Sequence, residues 1–347
     1  HVEQMIDLIK MLEAKDAMYV LDDGVYFDIT KFPDYGKLSK QDLEALRSGI
    51  RVDVKESKRS PQDFVLWKFS KPGEPVWDSK WGAGRPGWHI ECSAMARQYL
   101  GDSFDIHGGG SDLMFPHHEC EIAQSECALS KPFAGYWFHN GFIQINNEKM
   151  SKSLGNFFLL RDVFEKFPAQ AVRYLFLQTH YRSPIEFTDD LLSQAKNSLA
   201  RLQDFMGRLK NYESAVANDK LKDFDDLILD TQKKFEDAMN NDFETPLALA
   251  AVFDFVKDVN RRIDAQSLTR DAKEAAMTFM MRLDTVLGVL VTTQSAEVDG
   301  HVIALLGERE KARNDKDWKR SDELRDELLT HGIQVEDSPQ GTTWKKV

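Results

Sequence analysis

A pair of lysines in a short, hydroxyl-rich segment is the strongest chemical signal in this sequence. The string Lys149-Met150-Ser151-Lys152-Ser153 follows an apolar run, Phe142 to Ile145, and the pair Asn146-Asn147, which predicts a strand and a tight turn. Ammonium groups on such a loop can meet the negative charge that develops at the α- and β-phosphates of a nucleotide as pyrophosphate leaves. A lone Lys-x-x-Lys is usually a solvated surface feature. The whole string predicts a polyphosphate site in which Lys149 and Lys152 are catalytic.

A second group of residues has the donor types of a zinc site. Pro116 is a natural first residue of a helix. If a helix begins there, His117 and Glu121 stand at i and i+4 on one face. Together with the thiolate of Cys92, they offer sulfur, nitrogen and oxygen donors that zinc accepts.

Spacing alone leaves alternatives to this metal site. Cys92 as a small core residue and His117 as an ordinary surface histidine fit about as well, because the ligands come from separate elements without a Cys-x-x-Cys pair. His118 and Cys120 are rival ligands by composition. Cys127 is most simply a core residue.

The run His107-Gly108-Gly109-Gly110 with Asp112 indicates a third site. Glycines allow a nucleotide to approach the backbone closely, and Asp112 can accept hydrogen bonds from ribose hydroxyls. The run is not the dinucleotide fingerprint Gly-x-Gly-x-x-Gly, and it could be only a turn.

The elements that must position these residues change in character along the chain. Residues 1–62 resemble an insertion, with a hairpin signal around Asp23-Gly24. In 63–188, short apolar runs alternate with helical patterns, which predicts an α/β fold. Long amphipathic patterns in 189–295 predict a helical bundle. Residues 296–347 indicate a charged helix pair followed by an extended tail.

Composition restricts the class of protein. The 347 residues are 42% hydrophobic and 29% charged, which is typical of soluble globular domains. The net charge of −12 argues against a protein held to nucleic acid by its overall charge, although a local face could still bind RNA. Three cysteines do not form a disulfide framework, and we expect a cytoplasmic protein without a membrane span or signal peptide.

Three stretches together resemble the cysteinyl-tRNA synthetase family of class I enzymes: Gly87 to Cys127, His139 to Asn156 and Ala312 to Trp344. The resemblance spans essentially the whole chain. It implies that 63–188 are the second part of a Rossmann-like catalytic domain and that 1–62 are a connective-peptide-type insertion. It also implies that the bundle binds tRNA and that 296–347 form a small mixed anticodon-binding domain.

The resemblance also implies the roles of individual residues. The zinc ligands would be Cys92, His117 and Glu121, without Cys120, and the zinc would bind the thiolate of the substrate cysteine. A coordinated thiol is deprotonated outright, whereas serine offers a harder and far more basic oxygen. The remaining implied contacts are Trp88 and His107 in the cysteine pocket, and Lys152, His107, Gly108, Gly109, Gly110 and Asp112 at ATP.

The reaction implied by the resemblance has two steps and several partners. The cysteine carboxylate attacks the α-phosphate of ATP, bound with Mg²⁺, and the adenylate is then transferred to tRNA(Cys). Arg313, Asp322 and Asp337 match positions that read anticodon bases, since Arg can pair with guanine edges and Asp can accept from amino groups. Without the resemblance, the segment around Arg313 and Asp322 is typical of an ordinary solvated helix. We expect a monomer.

The sequence departs from the family at its beginning. The family's first signature, His-x-Gly-His, and a fourth zinc ligand, a cysteine, are absent upstream of Cys92. We therefore expect an N-terminally truncated chain that alone is inactive or impaired. Two rival functions are a cysteine ligase of the mycothiol pathway and a non-catalytic tRNA-binding fragment. The tail from Val302 argues against the first, because an amino-sugar acceptor needs no anticodon reader, and the intact string at Lys149 argues against the second.

Overall fold

The computed structural model describes residues 1–41, 57–146, 148–150, 155, 157–214, 222–290, 300–338 and 341–346. Lys152, assigned from the sequence to catalysis and ATP contact, lies outside these residues.

The chain begins with a helix and the hairpin that the sequence predicts. Strands β1 and β2 pair antiparallel, with Leu21 opposite Gly24. The turn is therefore Asp22-Asp23, and Gly24 is the first residue of β2 rather than part of the turn. A Cβ at this position would lie 2.3 Å from the carbonyl oxygen of Trp67, so glycine lets the next strand approach. The bounds are α1, Val2–Ala14; β1, Met18–Leu21; and β2, Gly24–Phe27.

A four-stranded antiparallel sheet joins this hairpin to the residues that follow. Strand β3 (Phe64–Phe69) pairs with β2 on one side and with β4 (Gly84–Pro86) on the other. Side chains from α1 and the sheet share one hydrophobic core with later helices, through Leu12, Trp67 and Ala123 among others. The predicted boundary at residue 62 thus falls inside one sheet and one core.

The predicted alternation of helices and strands follows this sheet. Strands β5 (Phe104–Gly110) and β6 (Ala134–Asn140) pair in parallel, and the crossover connection between them contains a helix, Glu119–Leu129. Strand β7 pairs antiparallel with β8 and parallel with β9. The bounds are α2, Trp88–Leu100; β5, Phe104–Gly110; α3, Glu119–Leu129; β6, Ala134–Asn140; β7, Ile143–Ile145; β8, Glu148–Lys149; and β9, Ile185–Glu186.

The start of the crossover helix is irregular. Helix α3 begins at Glu119, and a π-helical turn over Met114–His118 precedes it, with a cis peptide bond between Phe115 and Pro116. Phe115 is the one residue of Met114–His118 with non-helical backbone angles, so the chain kinks there and the backbone from Pro116 onward leads into α3. The i, i+4 relation between His117 and Glu121 still brings the two side chains together.

The predicted helical bundle is confirmed. Buried residues recur at spacings of three and four along α6, which is the pattern of a helix with one face in a core. Thr188 and Thr269 cap α6 and α9 by accepting from backbone N–H groups, and Gly288 ends α9 with φ of 63°. The bounds are α4, Leu160–Lys166; α5, Ala169–Leu177; α6, Asp189–Asn211; α7, Lys222–Asn240; α8, Thr245–Asp264; and α9, Arg270–Leu287.

The C-terminal part has a small core of its own. Helices α10 (Gly300–Asn314) and α11 (Trp318–Thr330) pack through Leu305, Leu324 and other apolar side chains. The tail that the sequence suggests is simply extended forms a hairpin, in which β10 (Ile333–Ser338) pairs antiparallel with β11 (Gly341–Lys346). Among the described residues of the whole chain, no helix is long and apolar enough to cross a membrane.

Candidate functional site

Three elements bring the predicted zinc ligands to one point. Cys92 lies on α2, His117 in the π-helical turn and Glu121 on the first turn of α3. Their ligand atoms all lie within 4.8 Å of one another. Helices α2 and α3 pack side by side in this region, so residues separated by 25 or more positions in the sequence reach the same site.

Glu121 is the buried centre of this group. Its Oε1 lies 2.7 Å from Nε2 of His117, and its Oε2 lies 2.7 Å from Nε2 of His107. Each oxygen thus has one imidazole nitrogen close by, although the rings are not well aligned to donate, so neither oxygen has an aligned donor among the described residues. Burial acts to raise the pKa of Glu121, but the two imidazoles outweigh it and lower the pKa to about 2. A buried, ionised carboxylate with open oxygen atoms is well suited to a divalent cation.

A histidine without an assigned role orients His117. Nδ1 of His89 lies 2.8 Å from Nδ1 of His117, which leaves Nε2 of His117 directed toward Glu121. Burial, followed by the charge of His117, lowers the pKa of His89 to about 4, so this ring is neutral near pH 7. Such outer contacts set the tautomer of a metal-bound imidazole. The sequence reasoning missed His89, although its position three residues before Cys92 on the same helix was a usable signal.

Cys92 is a protonated thiol in the absence of a metal ion. Burial raises its pKa to about 12, and the negative charge of Glu121 adds to this effect. Coordination to a metal removes such a proton. The donor set of sulfur, nitrogen and oxygen therefore fits zinc, with the orphaned oxygens of Glu121 as the supporting observation.

The rival ligands differ in whether they lie near the group of metal-ligand side chains. Cys120 is fully buried, and its Sγ lies 3.3 Å from Oη of Tyr35 in the hydrophobic core, away from the metal-ligand group. Cys127 packs against the same core. His118 stays close, because its ligand atom lies within 4.8 Å of those of His107 and Glu121. Its Nδ1 lies 2.8 Å from Nε2 of His139, a second histidine that was not predicted to belong to the site.

The residues predicted to line a cysteine pocket surround this centre. His107 contacts Glu121 directly, as described above, and its ring centroid lies 4.9 Å from that of Trp137. Trp88 is 59% exposed and its ring lies 4.5 Å from that of His117. An exposed indole beside a buried polar centre provides an apolar wall for a small ligand.

The glycine run is required partly by packing. A Cβ on Gly109 would lie 2.9 Å from Cε1 of His118, and one on Gly110 would lie 2.6 Å from Oδ1 of Asp112. A Cβ on Gly108 would make an ordinary van der Waals contact, at 3.4 Å from the carbonyl oxygen of Phe138. Gly109 therefore has a local reason to be glycine apart from any nucleotide, whereas at Gly110 the close atom belongs to the exposed side chain of Asp112, which can rotate away.

Two predicted nucleotide contacts touch each other. Nζ of Lys149 lies 2.8 Å from Oδ2 of Asp112 and 4.2 Å from the ring centroid of Phe142. The hydrogen bond from Lys149 lowers the pKa of Asp112. The structure thus brings the end of β8 to the glycine run of β5.

Two of the three predicted anticodon contacts also lie together. Asp337 on β10 accepts from Arg313 at 2.8 Å and from the buried Arg309 at 2.7 and 3.0 Å. Asp322 on α11 is paired instead with Arg325 at 3.5 Å. The sequence reasoning missed Arg309, which is four residues before Arg313 on α10.

Models of three families match the chain in order. The description "tRNA synthetases class I (C) catalytic domain" matches residues 1–197, and "DALR domain" matches 234–291. The description "Cysteinyl-tRNA ligase anticodon binding domain" matches 295–344.

Curated relatives and a solved structure agree with these matches. A cysteine--tRNA ligase of Carboxydothermus hydrogenoformans is 46% identical, covering 100% of this chain and 75% of that protein. One of Heliobacterium modesticaldum is 47% identical, covering 100% and 76%. The chain thus spans about three quarters of the length of these relatives.

The solved structure is a methionyl-tRNA synthetase of Mycobacterium tuberculosis in complex with methionyl-adenylate. It superposes with a TM-score of 0.56 at 16% identity, over 88% of this chain and 74% of that one. A likeness at this identity shows a shared fold. Together with the family matches and the 45–47% identities, it establishes that the chain belongs to the cysteine--tRNA ligase family of class I aminoacyl-tRNA synthetases.

Proposed function

We propose that this chain serves the ATP-dependent activation of cysteine to cysteinyl-adenylate and the transfer of the cysteinyl group to tRNA(Cys), as part of an enzyme that also carries the family's His-x-Gly-His signature. The observation that carries the proposal is the convergence of Cys92, His117 and Glu121 around a buried, unsatisfied carboxylate. This donor set suits zinc, and zinc bound there supplies a soft Lewis acid for the thiolate of the substrate.

Selection of cysteine over serine follows from this chemistry. An apolar pocket separates close analogues by roughly 10- to 200-fold. A site that needs a deprotonated sulfur donor adds the cost of ligating a poorly acidic hydroxyl, so we expect discrimination well beyond that range. The exposed ring of Trp88 and the imidazole of His107 border the space next to Glu121 and form the walls of this pocket.

The residues around the centre have supporting roles. His89 fixes the orientation of His117 through the contact between their Nδ1 atoms. Burial, the largest effect, lowers the pKa of His118 to about 4, so near pH 7 this ring is a neutral neighbour of the anionic Glu121.

ATP, bound with Mg²⁺, would lie between the glycine run and the lysine string. Asp112 accepts from a ribose hydroxyl in this proposal, and Lys149 with Lys152 stabilises charge on the leaving pyrophosphate. Catalysis of this first step is mostly positioning and charge stabilisation. Because Lys149 is paired with Asp112 at 2.8 Å, nucleotide binding must separate the two side chains or insert between them.

The C-terminal part would read the anticodon. Arg313 and Asp337 lie together at the junction of α10 and β10, and Asp322 lies on the exposed side of α11. The match of an anticodon-binding family to 295–344 weighs against the amino-sugar ligase as the function.

The decisive experiment compares metal content and cysteine activation in two cysteine variants. Cys92→Ser should lose zinc, measured by plasma mass spectrometry after dialysis against a weak chelator. In a version of the enzyme that also carries the His-x-Gly-His signature, the same substitution should abolish cysteine-dependent pyrophosphate exchange. Cys127→Ala is the matched control, because Cys127 is half-buried at the edge of the core and should keep both properties. Equal zinc retention in the two variants would refute the assignment of Cys92 as a ligand.

A further inference from the structure

A second group of metal-ligand side chains lies at one end of the C-terminal helix pair. His301 is in the first turn of α10, Glu327 is in the last turn of α11, and His331 follows α11 directly. Their ligand atoms all lie within 4.8 Å of one another. We propose that His301, Glu327 and His331 bind a transition-metal ion, with Zn²⁺ as the expected occupant, at a site separate from the one at Cys92.

The geometry needs only small side-chain movements to hold an ion. The imidazole rings of His301 and His331 stand edge to face, with centroids 5.4 Å apart and planes at 78°. Bond lengths of 2.0–2.1 Å to a tetrahedral zinc place donor atoms about 3.4 Å apart. The ligand atoms now lie 4.8 Å or less apart. Side-chain rotation alone can bring them to about 3.4 Å, without movement of the helices.

The backbone that presents the donors is fixed by packing. Val302, next to His301, and Leu328, next to Glu327, are both buried in the small core between α10 and α11. Glu327 and His331 are also joined by a backbone hydrogen bond, from N–H of His331 to the carbonyl of Glu327 at 3.3 Å. Binding would therefore restrict a few side-chain rotamers without ordering a loop.

The donor types select the class of ion. Two imidazoles and one carboxylate suit Zn²⁺, Cu²⁺ or Ni²⁺, whereas Mg²⁺ and Ca²⁺ prefer oxygen ligands. Three protein donors on an exposed surface leave at least one coordination position for water or for a partner group. Such an ion would tie the start of α10 to the end of α11, the two helices that carry Arg313 and Asp322. It would also stabilise this part of the chain by mass action.

Calorimetric titration of the full chain with Zn²⁺ tests the proposal in a background that carries Cys92→Ser and Glu121→Gln, because Glu121 belongs to both groups of metal-ligand side chains at the other site. Glu327→Gln, and separately the pair His301→Asn with His331→Asn, should weaken this binding at least tenfold. Removing even a residue that only hydrogen-bonds to a metal ligand typically lowers metal affinity by about 10- to 100-fold. Asp326→Asn is the matched control, because it removes an exposed carboxylate from the adjacent position of the same helix. Titration with Mg²⁺ should show no binding at this site.

A second measurement locates the ion independently of the variants. Zn²⁺ added to the chain with Cys92→Ser and Glu121→Gln should slow amide hydrogen exchange over residues 300–305 and 327–333. Equal zinc affinity of the Glu327→Gln and Asp326→Asn chains, or exchange in these segments that zinc leaves unchanged, would overturn the proposal. Neither outcome bears on Cys92, so failure here would leave the proposed function untouched.

Discussion

Two arginines on one helix contact the same carboxylate, and the structure predicts that they contribute very differently to stability. Arg309 and Arg313 stand one turn apart on α10, and each places a guanidinium nitrogen 2.7–2.8 Å from Oδ2 of Asp337. The side chain of Arg309 is 1% exposed and that of Arg313 is 31% exposed. We therefore compare Arg309→Gln with Arg313→Gln as matched substitutions.

Burial determines the expected magnitudes. Breaking a buried ion pair by removing one partner typically costs about 3–5 kcal/mol. Asp337 is 29% exposed and would keep Arg313 and Thr342, so we expect Arg309→Gln to cost about 2–3 kcal/mol. Exposed pairs contribute about 0.2–1 kcal/mol, which is the expected cost of Arg313→Gln.

Native-state hydrogen exchange of the β10–β11 amides is the appropriate assay, because it reports the local opening of this module within a multidomain chain. A loss of 2–3 kcal/mol corresponds to roughly 30- to 150-fold faster exchange. If Arg313 contacts a base, the two variants should rank differently by affinity for tRNA(Cys) than they do by stability. Arg313→Gln would then cost about 1–3 kcal/mol of binding with little loss of stability.

The same contacts predict how this module responds to acid. The hydrogen bonds from Arg309 have the largest effect on Asp337 and outweigh its burial. Together with the hydrogen bond from Thr342, they lower the pKa of Asp337 to about 2. A carboxylate whose pKa is lower in the folded state stabilises the fold above its unfolded pKa of about 3.9. This contribution should be lost as the pH falls from about 4 toward 2.

Similar exchange rates of the β10–β11 amides in Arg309→Gln and Arg313→Gln would refute the argument that burial makes Arg309 the more stabilising of the two arginines.

Other predictions concern the metal centre and the packing around it. His89→Asn should weaken zinc binding by about 10- to 100-fold in chelator competition, because His117 loses the contact that orients its ring; unchanged affinity would contradict that role. Gly109→Ala should lower the free energy of unfolding by about 1–3 kcal/mol in urea titration, since its Cβ would overlap His118. Thr269→Ala should cost about 0.5–2 kcal/mol by removing the N-cap of α9, and calorimetry showing no shift in Tm would contradict this.

Local patterns in the sequence were sufficient for several features of the fold. The hairpin of β1 and β2, the long helices of the bundle and the i, i+4 relation of His117 to Glu121 all depend on residues within a few turns of one another. Turn residues, caps and apolar periodicity act over that range. One error was local as well: Gly24 is the first residue of β2 and pairs with Leu21, and the backbone of Trp67 passes too close for a side chain there.

The tertiary structure decided which chemically similar residues share a site. Cys92 and Cys120 are both candidate ligands by composition, yet the packing of α2 against α3 directs Cys92 toward Glu121 and leaves Cys120 against Tyr35. The burial of Arg309 beneath Asp337 is likewise a contact between residues 28 positions apart. The sequence by itself determined the residue types and their local spacing. Packing between distant segments determined burial and orientation, and these set the charge and the partners of each side chain.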